Sequence, residues 1–216
     1  MVDQSWCPFR QLVHQRGVGL SFTPMAHARL VVEDEKYRAN LIADLDQSPR
    51  PVIVQLAANE IGHFVEAVKV LAAHCDAIDL NLGCPQHIAR KGHYGAFLML
   101  TESDRFLIGQ MIEAAKEHHP ITVKIRVFDE IKATIDYAKM IQAAGASALT
   151  VHGRTINQKR DLTGLASWDH IRQVKQSLSI PIIANGNIRN VFFFSLIPFA
   201  YAYFINAPNG TCVFRH

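Results

Sequence analysis

The sequence predicts an α/β fold, a (β/α)8 TIM barrel left incomplete at about six to seven βα units. Three observations predict it. Short aliphatic runs alternate with amphipathic helical stretches along the chain. The runs are read as apolar on both faces, the pattern of a parallel sheet covered by helices. Polar residues recur where the runs end, and a barrel builds its site on that rim. A doubly wound sheet would favour a Gly-x-Gly-x-x-Gly turn, and the sequence contains none.

The elements follow in order. Residues 6–16 suit a helix stopped by Gly17, and Gly19 to Thr23 suit a strand. A loop is expected next, then a helix near Lys36–Leu45. Pro51 to Leu56 form a strand, and Asn59 is expected to cap a helix with Ile61, Phe64, Val65, Val68 and Leu71 on one face. Ala77–Leu82 is the next strand, followed by a long loop and a helix opened by Thr101. Strands at 121–127, 147–152 and 181–184 alternate with helices at 131–144 and 168–178. Gly145 sits where a helix C-cap belongs.

Composition bounds the function. The chain has 216 residues, 49% of them hydrophobic, and a net charge of +3, mildly basic and compatible with a polyanionic partner. The four cysteines Cys7, Cys75, Cys84 and Cys212 form no Cys-x-x-Cys pair, which argues against a zinc ribbon. His118 and His119 are adjacent and cannot share a helix face, so no metal is expected. No signal peptide is read at the start, where Asp3, Gln4, Arg10 and His14 interrupt any apolar stretch. The run from Val191 to Ile205 contains Pro198 and falls short of the ~20 residues a span needs, so no membrane insertion is expected. Scattered cysteines and no leader point to the cytoplasm, with the nucleus as the other compartment. The chain divides into a partial barrel domain, 1–190, and an aromatic-rich tail, 191–216, which can serve as a surrogate closing strand. It reads as shortened at both ends. The oligomeric state is left open.

Cys84 lies just past the strand end, between Gly83 and Pro85. Alone it reads equally as a small buried hydrophobe. With polar groups at the other strand ends it becomes a candidate acid. Lys124, inside an aliphatic strand, needs a partner or a route to water. Gln55 and His152 read as site residues or as satisfied structural groups, and Arg154 as a phosphate contact or a solvated loop arginine.

Taken together the motifs resemble the tRNA-dihydrouridine synthase family. They are Met1-Val2-Asp3-Gln4-Ser5, Phe22-Thr23-Pro24-Met25, Val54-Gln55, Asp79 through Gln86, Gly92 through Leu98, Val123 through Arg126, Thr150 through Thr155 and Ala184 through Ile188. The pairing of Gly83–Gln86 with Gly92–Leu98 is most similar to the eukaryotic tRNA-dihydrouridine(16/17) synthase branch. The resemblance implies FMN as cofactor, NADPH or NADH as reductant and tRNA as partner. It implies that hydride passes from flavin to C6 of a flipped-out uracil while Cys84 protonates C5. A neutral thiol is a workable acid for that step.

It further implies that Met1, Val2, Gln55, Lys124, His152, Asn185, Gly186 and Asn187 hold the cofactor, with Lys124 beside the N1–C2 edge of the ring. Asn81, Lys91, Tyr94, Arg126 and Arg154 are assigned to substrate and tRNA, within a basic rim that includes Arg90, Lys159 and Arg160. The loop holding Lys91, His93 and Tyr94 is expected to close over the substrate, with Gly92 and Gly95 as hinges. The family's later phosphate-binding turn and its helical tRNA-binding domain have no counterpart in the sequence. A non-catalytic remnant with weak flavin or RNA binding, and a small-molecule FMN barrel oxidoreductase, are the alternatives.

Overall fold

The computed structural model describes residues 4–188. Met1 and Val2, and the tail 191–216 with its expected strand-like role, lie outside the described residues.

Seven strands form one all-parallel sheet: β1 (Ser21–Phe22), β2 (Ala26–His27), β3 (Val52–Ala57), β4 (Ala77–Leu82), β5 (Ile121–Arg126), β6 (Ala148–His152) and β7 (Ile182–Asn185). From β3 to β7 the strands are neighbours in chain order. Helices α1 (Cys7–Gln15), α2 (Ala28–Glu33), α3 (Glu35–Asp46), α4 (Ile61–Leu71), α5 (His87–Lys91), α6 (Glu102–Ala115), α7 (Ile131–Ala144) and α8 (Trp168–Ser177) connect them or flank their ends. Each return to a parallel neighbour needs such a crossover.

β1 and β2 are two halves of one interrupted strand. β1 pairs with Val52 and Ile53, and β2 with Leu56 and Ala57, so both use the same edge of β3. The break falls at Pro24, which has no N–H to donate to a ladder. Thr23 bridges it: its N–H donates to Ile53 O at 3.0 Å, and its hydroxyl accepts from Gln55 N at 3.0 Å.

The sheet curls. Phe22 on β1, Ile53 on β3, Ala77 on β4 and Ile183 on β7 form one buried cluster, although β1 and β7 are at opposite ends of the strand order. Only a sheet rolled toward a barrel brings them together. The fold is therefore an incomplete (β/α)8 barrel.

The expectation that the strands are apolar on both faces is corrected. The outward face is: Val54, Leu56, Ile78, Leu80, Val123, Ile125, Leu149 and Val151 pack against helical Phe64, Val68, Ile108, Ile112 and Ile141. Phe64 is 0% exposed, and truncating it to alanine is expected to cost about 3–5 kcal/mol. The inward face is polar above its apolar floor. Register pairs Gln55, Asp79 and Thr122 in one row, Asn81, Lys124 and Thr150 in the next, and Arg126, His152 and Asn185 at the rim. Side chains alternate faces along a strand, so each strand sends every second residue into the same space.

Three further corrections concern local structure. The stretch expected as a loop after Thr23 holds β2 and α2. The cap of α4 is Glu60, whose carboxylate accepts from Gly62 N at 2.8 Å and His63 N at 2.7 Å; Asn59 instead donates to Gly92 O at 3.0 Å. The long loop after Cys84 contains α5 and a 3-10 turn at Gly95–Met99. The expected C-cap of α7 is present: Gly145 has φ of 108°.

Candidate active site

A pocket of about 180 Å³ opens at the C-terminal ends of the strands. Phe22 and Met25 form its apolar side, and Gln55, Asn81, Gly83, Cys84, Pro85, Lys124, Arg126 and His152 complete it.

Cys84 is held by its backbone. Its N–H donates to Asn81 Oδ1 at 3.0 Å, beside the Gly83 N–H at 3.1 Å. Its carbonyl accepts from Ala96 N at 3.1 Å. The thiol residue is half-buried and packs with Met25, Ala57, Ala89, Tyr94 and Phe97.

Lys124 stands between Asn81 and Thr150 in the inward rows. Among the described residues no hydrogen bond is formed by its Nζ, and Asp79 is the nearby opposite charge that favours its protonation. Desolvation pulls its pKa down to about 8, partly offset by Asp79. It is thus still mostly charged at neutral pH. Asp79 is fully buried, and burial raises its pKa against the donors Thr122 and Gln55 and the charge on Lys124.

His152 is neutral. Burial, then the charges of Lys124, Arg126 and Arg154, lower its pKa to about 2. Arg154 Nη1 lies 3.1 Å from its Nε2. A guanidinium only donates, so Nε2 is the acceptor and the ring proton sits on Nδ1. Gly186, at φ 110°, closes against the same ring, and a Cβ there would come within 3.0 Å of His152 Cδ2.

The dihydrouridine synthase family model matches residues 1–193. The chain belongs to the dihydrouridine synthase family. It is 50% identical over 192 residues to a Mus musculus protein named tRNA-dihydrouridine(16/17) synthase, NAD(P)(+)-like, covering 88% of this chain and 40% of the relative. It is 46% identical over 194 residues to a Saccharomyces cerevisiae tRNA-dihydrouridine(16/17) synthase, covering 87% and 45%. The chain thus spans less than half the length of these two relatives. Among solved structures, a truncated 3-deoxy-D-arabino-heptulosonate 7-phosphate synthase from Thermotoga maritima aligns with a TM-score of 0.52 at 12% identity, covering 82% of this chain and 57% of that one. A 2,3-dimethylmalate lyase aligns with a TM-score of 0.52 at 13% identity, covering 83% and 62%. These two likenesses concern the fold alone.

The residues singled out from sequence fall into three groups, with Arg126 in two of them. Cys84, Gln55, Asn81, Lys124, Arg126 and His152 line one pocket. Arg126 and Arg154 are largely committed to protein partners. Arg126 donates to Gly83 O at 2.8 Å, Thr155 O at 2.7 Å and Gln158 O at 3.1 Å. Arg154 donates twice to Gly164 O and once to Asn187 Oδ1, at 2.8 Å. Asn187 Oδ1 also accepts from Ala166 N at 2.7 Å, so that side chain braces the loop before α8. Arg90, Lys91, Lys159 and Arg160 are exposed, and Lys159 Nζ reaches back to Pro85 O at 2.9 Å.

The loop residues expected to close over the substrate are packed in this structure. Tyr94 is buried and meets His27 edge-to-face at 5.4 Å, while exposed His93 contacts Asp104 at 2.8 Å. Gly95 is pressed against Cys84. Sequence reasoning missed Asp79 and Thr122 as site-supporting groups; their place two residues along the strand from Asn81 and Lys124 was the available signal. Among the described residues no group of three or more His, Cys, Asp or Glu could hold a metal ion, and no helix is long and apolar enough to cross a membrane.

Proposed function

We propose that this chain carries the active site of an FMN-dependent synthase that reduces uridine in tRNA to 5,6-dihydrouridine, with NADPH or NADH as reductant. The observation that supports this best is one pocket shared by Cys84, Lys124 and neutral His152.

The residues fit a flavin. Its ring is planar and apolar on its faces, with a polar edge that becomes electron-rich on reduction. Phe22 and Met25 offer apolar walls, and Lys124 offers a desolvated cation with no protein hydrogen bond among the described residues. Gln55, Lys124 and His152 would hold the ring edge, and Asn185 with the Gly186–Asn187 turn the phosphate end. Met1 and Val2 are assigned to the same cofactor. Bound there, FMN would supply the hydride chemistry, its electrons coming from the reduced nicotinamide.

Cys84 supplies the other half of the reaction. Its S–H bond breaks as a C5–H bond forms on the uracil, and the thiolate recovers its proton from solvent. Asn81 fixes the turn from which the thiol acts. A target base must leave the stack to reach such a pocket. The exposed Arg90, Lys91, Lys159 and Arg160 suit phosphate contacts around it. A rim of this charge favours a polynucleotide over a small neutral substrate. A tRNA substrate supports the reading of a cytoplasmic or nuclear site of action.

The test is incubation of the whole protein with FMN, NADPH and tRNA lacking dihydrouridine, followed by nucleoside mass spectrometry. Uridines gaining the mass of two hydrogens are expected. Flavin-loaded protein that oxidises NADPH yet never modifies tRNA would overturn the proposal.

A further inference from the structure

Thr122, Asp79, Gln55 and Asn81 form one hydrogen-bonded chain that ends on the backbone of Cys84. Thr122 Oγ1 donates to Asp79 Oδ1 at 2.7 Å, and Gln55 Nε2 donates to Asp79 Oδ2 at 2.8 Å. Asn81 Nδ2 donates to Gln55 Oε1 at 2.8 Å, and Asn81 Oδ1 accepts from the N–H groups of Gly83 and Cys84. Three strands, β3, β4 and β5, contribute the four side chains, and all four are buried.

A primary amide can present either end to a neighbour. A carboxylate cannot: when ionised it only accepts. Both Asp79 oxygens act as acceptors, one for Thr122 and the other for Gln55, so Asp79 admits the NH2 of Gln55 and rejects its oxygen. That choice turns Gln55 Oε1 toward Asn81, where it admits only an NH2. Asn81 Oδ1 is then left for the turn, whose peptide N–H groups only donate. Two amides are fixed in direction by a carboxylate at one end and the backbone at the other.

We propose that Asp79 is a positioning residue for Cys84, its carboxylate setting the direction of the Gln55 and Asn81 amides so that Asn81 grips the Gly83–Cys84 turn by its oxygen. The consequence for catalysis rests on the reading of Cys84 as proton donor; the geometric claim does not. A plain counter-ion to Lys124 would need no particular amide direction. The two accounts separate in a swapped pair. In Asp79→Asn with Gln55→Glu, the new Asn donates to the new carboxylate, whose second oxygen still accepts from Asn81. The direction is restored while the negative charge moves to another strand.

The probe is the alkylation rate of Cys84 by iodoacetamide, read by peptide mass spectrometry on the whole folded protein. It reports the turn without requiring that Cys84 act as an acid. Asp79→Asn is expected to change the rate by about fivefold, the equivalent of one neutral hydrogen bond. The swapped pair is expected to return it to within about twofold of wild type. Thr122→Val, which removes a donor but keeps the carboxylate, is expected to leave it there too. An unchanged rate in Asp79→Asn, or no recovery in the swapped pair, overturns the proposal. A neutron structure of the wild-type protein decides the matter even where a variant fails to fold. Hydrogens of the Asn81 amide facing Gln55 support the relay, and hydrogens facing the turn contradict it. If Cys84→Ala still makes dihydrouridine, the proton-donor reading fails and the relay stands. If Cys84→Ala is inactive while Asp79→Asn keeps both alkylation and turnover, the relay alone fails.

Discussion

Gly95 backs directly onto Cys84. A Cβ on Gly95 would lie 2.8 Å from the Cys84 carbonyl oxygen and 2.9 Å from its Cβ, and Gly95 has φ of 66°. Space and backbone conformation therefore both demand glycine eleven residues beyond the cysteine it supports. Gly95→Ala is expected to lower stability by about 1–3 kcal/mol. It should also slow dihydrouridine formation by at least about tenfold, because a reacting group moved by a fraction of an ångström loses alignment. Urea denaturation and single-turnover kinetics check this, with NADPH-driven bleaching of the flavin expected to be little changed.

His152 is expected to stay neutral from pH 5 to 9 in the folded protein, and NMR of its ring nitrogens checks this. Its folded pKa near 2 lies below its ordinary value of 6.5. Between those values the unfolded chain binds a proton that the folded one refuses. Stability therefore falls as pH drops from 6.5 toward 2, and the penalty is absent above that window. His152→Gln should flatten this part of the profile in thermal melts taken across pH.

Lys124 has the same sign at the alkaline end. Its folded pKa of about 8 lies below the ordinary 10.5, so the unfolded chain holds the proton longer. The flavin-free protein should gain stability as pH rises from about 8 to 10.5, and Lys124→Met should remove that gain. In the flavin-loaded protein the same variant should weaken FMN binding, measured by fluorescence titration, by at least about tenfold, the loss of a charge-assisted contact.

The barrel face was legible where the chain repeats itself. Aliphatic residues at alternate positions, such as Val52, Val54 and Leu56, place β3 and its neighbours without ambiguity. The polar inward face was read only at the strand ends. Asp79 and Thr122 sit mid-strand among aliphatic residues, and nothing local says that they meet each other from two strands. α2 was read as a loop because six residues containing Val31 and Val32 carry little helical signal; packing against α4 stabilises it instead. Charge alone assigned Arg126 and Arg154, and it does not reveal three carbonyl partners for one and the Gly164 and Asn187 acceptors for the other.

That division among basic residues is testable by salt dependence. Lys159→Ala and Arg160→Ala are expected to weaken tRNA binding and to reduce the slope of log affinity against log salt by about one unit or less each. Arg126→Gln should leave that slope unchanged. It strands one buried and two partly buried carbonyls, with an expected stability loss of about 1–3 kcal/mol, and it slows turnover through Gly83. Filter binding across salt concentrations separates the two classes.

The central claim is that Cys84 delivers the proton and takes no part in loading the flavin. The most direct measurement is single-turnover kinetics of Cys84→Ala in the whole, flavin-loaded protein, following flavin reduction by NADPH and dihydrouridine formation separately. The account predicts reduction at close to the wild-type rate and product formation slowed by at least about a hundredfold, the weight of a positioned general acid. Product formed at the wild-type rate would contradict it.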